Sequence, residues 1–230
     1  MKFNISVPDL EIQLKRRRAI PYNWRGKKQN NGDDKKSNFI YSSPYFDYIQ
    51  NKIAEYNLEN LSDYIWNRWY NFWSAKAVES IFVENKNIIA ERDAKNKYSD
   101  FSVYDEISKK KFQFDHKTTV IPKYFESKIL KYIKDNTDNT DNFIDLHQFD
   151  AAIVQWLYEN QSQEQRKHWN NRFFVILVDT TKKEHWKIKS ELSFLHSHIS
   201  KYLSSFTIED CVQFKHGENK VFAGVFWVVR

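Results

Sequence analysis

The run RFFVILVD at 172–179 constrains this chain more than any other feature. From Phe173 to Val178 every residue is apolar, so no alternate position is left over for a solvated face. A strand of this kind has to be covered on both sides, the condition of a central strand in a sheet layered between helices. It is far too short to cross a membrane, and no other stretch approaches the roughly 18 apolar residues that a span needs.

The segments around it supply the layers. Ser43-Pro44 reads as a helix start, with Phe46, Ile49, Ile53 and Tyr56 recurring at helical spacing. A longer helix is expected from Ser62 to about Glu84, where Trp66, Trp69, Tyr70, Trp73, Ala77 and Ile81 form an apolar stripe. Residues 99–120 change to a period of two, with Phe101 and Val103, then Phe112 and Phe114, alternating with polar residues: a hairpin. Pro122 opens a helix to about Ile133, and the tract DNTDNTDN at 135–142 reads as a solvated linker. Further helices are expected around 146–157 and 188–202, and two closing strands around 211–215 and 220–229. The fold class is α/β, a mixed sheet flanked by helices. Residues 42–230 form this domain, and 1–41 an irregular, basic N-terminal arm or small subdomain.

Composition removes several chemistries. Glycine occurs only at 26, 32, 217 and 224, which excludes the Gly-rich phosphate loop, the dinucleotide fingerprint and the G-x-S-x-G elbow. One cysteine, Cys211, excludes an internal disulfide and a Cys-rich zinc site. The start MKFNISVPDLEIQLKRRR has no apolar core followed by a cleavage site, so a cytoplasmic location is expected. Lysine and arginine exceed the acids by 6, and the pI near 9.1 favours a polyanionic partner, nucleic acid before membrane.

Within SDFSVYDEISKKKFQFDHKTT a set of charged residues carries chemistry. Asp115 and Lys117 are two apart on a strand, so both leave the same face, while His116 leaves the other with Phe112 and Phe114. Asp100 opens the neighbouring strand, where its carboxylate can come beside Asp115. Two carboxylates can hold Mg²⁺ or Mn²⁺, and a lysine close by can orient water or stabilise charge at phosphorus. Glu79, on the preceding helix, could add a third carboxylate, a place that Glu84 or Glu91 could also fill. His196 and His198 diverge by about 200° around a helix and do not read as a ligand pair.

These residues resemble the core of the PD-(D/E)XK nuclease superfamily, which includes many restriction enzymes and repair nucleases. The resemblance rests on Glu79 in a helix, Asp100 opening a strand, Asp115 and Lys117 around one intervening residue, and the Thr118-Thr119 pair that follows. Ser99 stands where the family pattern has proline. Across residues 62–180 the resemblance implies a restriction-endonuclease-like fold. It also implies Mg²⁺-dependent hydrolysis of DNA phosphodiesters, a homodimer and a place in restriction or phage defence. RNA as substrate stays open, as does a non-cleaving nucleic-acid-binding or assembly module on the same fold.

Outside that core, Lys15, Arg16, Arg17 and Arg18 are candidate nucleic-acid contacts. Tyr22 and Trp24 stand near Arg25, Lys27 and Lys28, an interleaving of rings and charges that could stack on bases. Gln165 and Arg166 could reach a substrate phosphate.

Overall fold

A computed structural model describes residues 5–23, 31–91, 93, 96, 98–137, 144–160, 170–216 and 219–230. The chain divides into two compact units, Met1–Ser80 with Trp186–His196, and Ile81–His185 with Ser197–Arg230. This differs from the division at 41/42 read in the sequence, because the opening segment is helical and packs within the first unit.

In the first unit, helix α1 (Val7–Arg16) starts at Ser6, whose hydroxyl accepts from the amide of Asp9 with Pro8 in the first turn. Leu10 and Leu14, one turn apart, are fully buried. That pairing is masked in the sequence by the basic runs KRRR and RGKK and the polar tract NNGDDKK, which give 1–41 an irregular look. A short α2 (Asn31–Lys36) and α3 (Phe46–Glu55) follow, the latter starting two residues beyond Pro44. The long α4 (Ser62–Phe82) buries Tyr64, Ile65, Trp69 and Tyr70.

Arg17, fully buried, is enclosed by the rings of Tyr22, Tyr70 and Trp186 at 5.1–5.7 Å. Its guanidinium donates to the carbonyls of Ile20 and Pro21 and to Asn67 Oδ1. Arg18 pairs with Glu191 at 2.8 Å, and Arg16 with Asp47 at 2.5 Å. Lys15 pairs with Glu11 one turn earlier. The basic run is thus engaged within this unit, and Arg17, with no exposed surface, cannot meet a phosphate in the folded state.

The second unit holds a six-stranded mixed sheet: β1 (Ile88–Ala90), β2 (Phe101–Asp105), β3 (Lys110–Val120), β4 (Arg172–Val178), β5 (Val212–His216) and β6 (Asn219–Val229). The spatial order is β1-β2-β3-β4-β6-β5. β1, β2 and β3 form an antiparallel meander, then β3, β4 and β6 run parallel, and β5 closes the edge antiparallel to β6. β1 was not read from the sequence, since three residues are too few to show a period. The parallel step from β3 to β4 needs a long crossover, supplied by α5 (Lys123–Thr137) and α6 (Asp150–Glu159).

All seven residues of β4 are buried. On one face Phe174, Ile176 and Val178 join Ala223 and Val225, covered by Phe125 and Ile129 of α5 and Ile153 and Leu157 of α6. On the other, Phe173 meets Phe114 at 4.3 Å, Phe226 at 4.9 Å and Phe82 at 5.3 Å. Gly224 makes room for that ring, since a Cβ there would lie 2.7 Å from Phe173 Cδ1. The closing part of α7 (Leu192–Leu203) brings Tyr202 to 4.5 Å from Phe226. No helix among the described residues is long and apolar enough to cross a membrane.

Candidate functional site

The candidate residues of the second unit gather where the meander meets the parallel strands. Asp100 stands one residue before β2 and donates its amide to the carbonyl of Phe114. Its carboxylate Oδ2 accepts the main-chain N–H of His116 at 2.8 Å and lies 3.7 Å from that residue's Nδ1. The His116 side chain, almost fully buried, faces Phe82 at 5.9 Å and meets Thr118 Oγ1 at 3.1 Å. It therefore leaves the face opposite to Asp115, as strand alternation requires.

Asp115 aligns with Arg172 in the parallel register of β3 and β4. Arg172 Nε donates to Oδ1 and Nη2 to Oδ2, each at 2.6 Å, a two-pronged charge-assisted pairing. Arg172 is buried, with Tyr158 and Phe174 at 5.4 and 5.7 Å from its guanidinium carbon. Burial pushes the Asp115 carboxyl above the ordinary carboxylate range, against the pull of Arg172 and with a further upward contribution from the charge of Asp100.

Lys117 lies two residues further on β3, aligned with Phe174 and half-buried, its Cβ on the Asp115 face. Thr119 follows on that face, and its hydroxyl donates to the Val120 carbonyl. Glu79 belongs to the first unit, where it is half-buried on α4 and paired with Lys76 at 2.5 Å. Of its two alternatives, Glu84 is exposed; Glu91 is half-buried and accepts from Asn96 at 2.6 Å. Trp24, Arg25, Lys27, Lys28, Gln165 and Arg166 lie outside the described residues.

The chain matches no family model, no curated protein and no solved structure.

Arg172 is the functional candidate that sequence reasoning missed. Its signal was a charge opening an otherwise apolar run, a position expensive to fill without a partner. Two further clusters belong to the second unit. Beyond the end of β4, Asp179 is fully buried and accepts from Arg230, from the Thr181 hydroxyl and amide, and from the amides of Lys182 and Glu184. Burial pushes its carboxyl up, yet these donors outweigh it and hold the group far below the usual range. Elsewhere, buried Asp150 accepts from Trp227 Nε1 at 2.8 Å and meets His147 Nδ1 at 2.8 Å. The hydrogen bond to Asp150 holds the His147 imidazole above its ordinary pKa. His147 borders a cavity of about 850 Å³ that Tyr202, Phe206, Trp227 and Lys201 also line.

Proposed function

We propose that this chain is a metal-dependent phosphodiesterase acting on DNA, with its reaction centred on Asp100, Asp115 and Lys117. The observation that carries this reading is the placement of two carboxylates side by side: Asp100 accepts the main-chain N–H of His116, the residue after Asp115, and Asp115 is held in a bidentate pair on the neighbouring strand. Like charges held close together with limited solvation are costly, and perturbed carboxylates of this kind concentrate at functional sites. The order α4, antiparallel β1–β3, α5, α6 and parallel β4 supports a restriction-endonuclease-like reading of the fold.

The residues fit a hard divalent cation, since carboxylate oxygens are what Mg²⁺ and Mn²⁺ prefer. Asp100 and Asp115 would hold the ion, Asp115 by giving up part of its contact with Arg172. When bound, the ion would neutralise charge on the scissile phosphate. Lys117 supplies a fixed positive group that orients the attacking water and stabilises charge developing at phosphorus. Arg172 keeps Asp115 in place and limits the repulsion between the two carboxylates. The reading extends to a homodimer cutting both strands, and to a role in restriction or phage defence.

A second reading has its own observation. Arg172 already occupies both oxygens of Asp115, which is what a non-cleaving nucleic-acid-binding module would retain for structural reasons. Incubation with supercoiled plasmid in EDTA, Mg²⁺ or Mn²⁺ separates the two. Nicked or linear product that requires metal and disappears in Asp115→Ala is expected. DNA retention with no product under any metal would leave the binding module, and product from labelled RNA alone would move the substrate from DNA.

A further inference from the structure

The edge of the sheet where β3, β4 and β6 begin carries a second arrangement, separate from the carboxylates. Strand alternation and register put Lys110, Phe112, Gln213, Lys215, Lys220 and Phe222 on one face. Phe112 and Phe222 meet edge to face at 5.2 Å, although β4 separates their strands further along. Asn171, just before β4, closes the gap. It donates to the Gln113 carbonyl at 3.0 Å and accepts the Phe222 amide at 2.9 Å. Both rings are half-buried, so part of each meets solvent.

The charges around these rings are arranged at a cost to the fold. Lys215 and Lys220 stand directly opposite one another across β5 and β6, both exposed, a like-charge pairing that destabilises a sheet. Lys220 Nζ lies 5.1 Å from the centre of the Phe222 ring. Lys110 is exposed on the same face, with Asp105 opposite it in register. Asp105 accepts the Ser108 amide at 2.8 Å, and that turn holds its carboxyl below the usual range. Among the described residues, three lysines against one acid, around two rings, form a positive face with aromatic surface.

We propose that this face is a docking platform for single-stranded DNA, with bases on Phe112 and Phe222 and phosphates at Lys110, Lys215 and Lys220. Ring faces can take only bases released from a duplex, while the lysines follow a backbone without reading sequence. An anion between Lys215 and Lys220 turns their repulsion into attraction. Phe112 is three residues before Asp115 on β3, roughly 10 Å along the strand, and its ring leaves the opposite face of the sheet, so the platform is a binding surface distinct from the carboxylates. The choice of DNA rests on the nuclease reading above; the stacking and phosphate contacts do not.

The test is fluorescence anisotropy in EDTA, where metal-dependent cleavage cannot contribute, using a labelled oligothymidylate and a duplex of equal length. The parent should prefer the single strand. Phe112→Leu and Phe222→Leu keep apolar volume but lose the π face, and each should weaken single-strand binding roughly tenfold or more. Phe222→Trp should restore it. Lys215→Ala with Lys220→Ala should lower the slope of log affinity against log salt by about 1.4. Thermal melting identifies any variant that fails to fold, in which case the lysine pair and the tryptophan variant decide. Unchanged single-strand affinity in these variants, or equal losses on the duplex, would overturn the platform. Tighter binding to oligouridylate would overturn the choice of DNA. Plasmid left intact with single-strand binding present removes the nuclease reading and leaves the platform standing.

Discussion

The guanidinium of Arg172 closes on both carboxylate oxygens of Asp115 from the neighbouring parallel strand, with the two residues aligned in register. Removing either partner leaves a charge with little water to solvate it. Arg172→Ala should therefore destabilise the protein by about 2–3 kcal/mol, somewhat below the roughly 3–5 kcal/mol of a fully buried pair because Asp115 keeps some solvent access. Urea denaturation at neutral pH measures this. A loss below about 0.5 kcal/mol, the scale of an ordinary surface change, would show that the pair contributes little to the fold.

Asp179 should give the chain part of its acid sensitivity. Its folded pKa is depressed, so its contribution to stability is complete above the unfolded value near 3.9 and is lost as pH falls towards the folded one. Asp179→Asn should cost about 2 kcal/mol or more at neutral pH, and the gap from the parent should shrink in acid. Denaturation curves collected across pH test this; a gap that stays constant would assign the loss to packing instead.

His147 has the opposite sign. Its pKa is raised, so the stabilisation is present below the unfolded value near 6.5 and is lost as pH rises through the folded value. In Asp150→Asn the imidazole should titrate at lower pH, because its principal hydrogen-bond partner has lost its charge. An NMR titration of the His147 ring reads this directly, and an unmoved midpoint would mean that Asp150 does not set it.

Gly224→Ala should destabilise by about 1–3 kcal/mol, the usual cost of overpacking a filled core. The added Cβ would meet the Phe173 ring, and that ring is held by Phe82, Phe114 and Phe226 on its other sides. A neutral result by thermal denaturation would indicate that this aromatic layer has slack.

Lys117→Ala bears on catalysis. The carboxylates remain, so metal binding should persist, and one half-buried side chain on β3 is lost with the fold kept. Plasmid cleavage should fall about 10²–10³-fold, the effect of deleting one group that stabilises developing charge. Cleavage at the parent's rate under saturating Mg²⁺ would remove Lys117 from the mechanism.

Much of the sheet could be read from local pattern. The run at 172–179 announced a strand covered on both faces, and the alternation of Phe112 and Phe114 with Gln113 and Asp115 set the facing of β3. What could not be read depends on pairing between distant residues. Arg172 gains its meaning from Asp115, 57 positions earlier, through a register that no local period encodes. Arg17 sat in a charge run that resembled a solvated arm, and its aromatic enclosure comes from Tyr22, Tyr70 and Trp186. Glu79 fell off the apolar stripe of its helix, and Lys76 engages it one turn away.

β3 takes an antiparallel neighbour on one side and a parallel neighbour on the other, and this has a consequence in time. The β2–β3 hairpin closes over the four residues between Asp105 and Lys110, whereas β4 can join β3 only after the crossover through α5 and α6 is in place. Closing long loops is the slow part of building a sheet. Asp100 and Asp115 can therefore come together early on the hairpin, before Arg172 arrives to offset their repulsion. The hairpin should form with that repulsion still present, so acid conditions that protonate either carboxyl should ease β2–β3 pairing even where they weaken the finished fold.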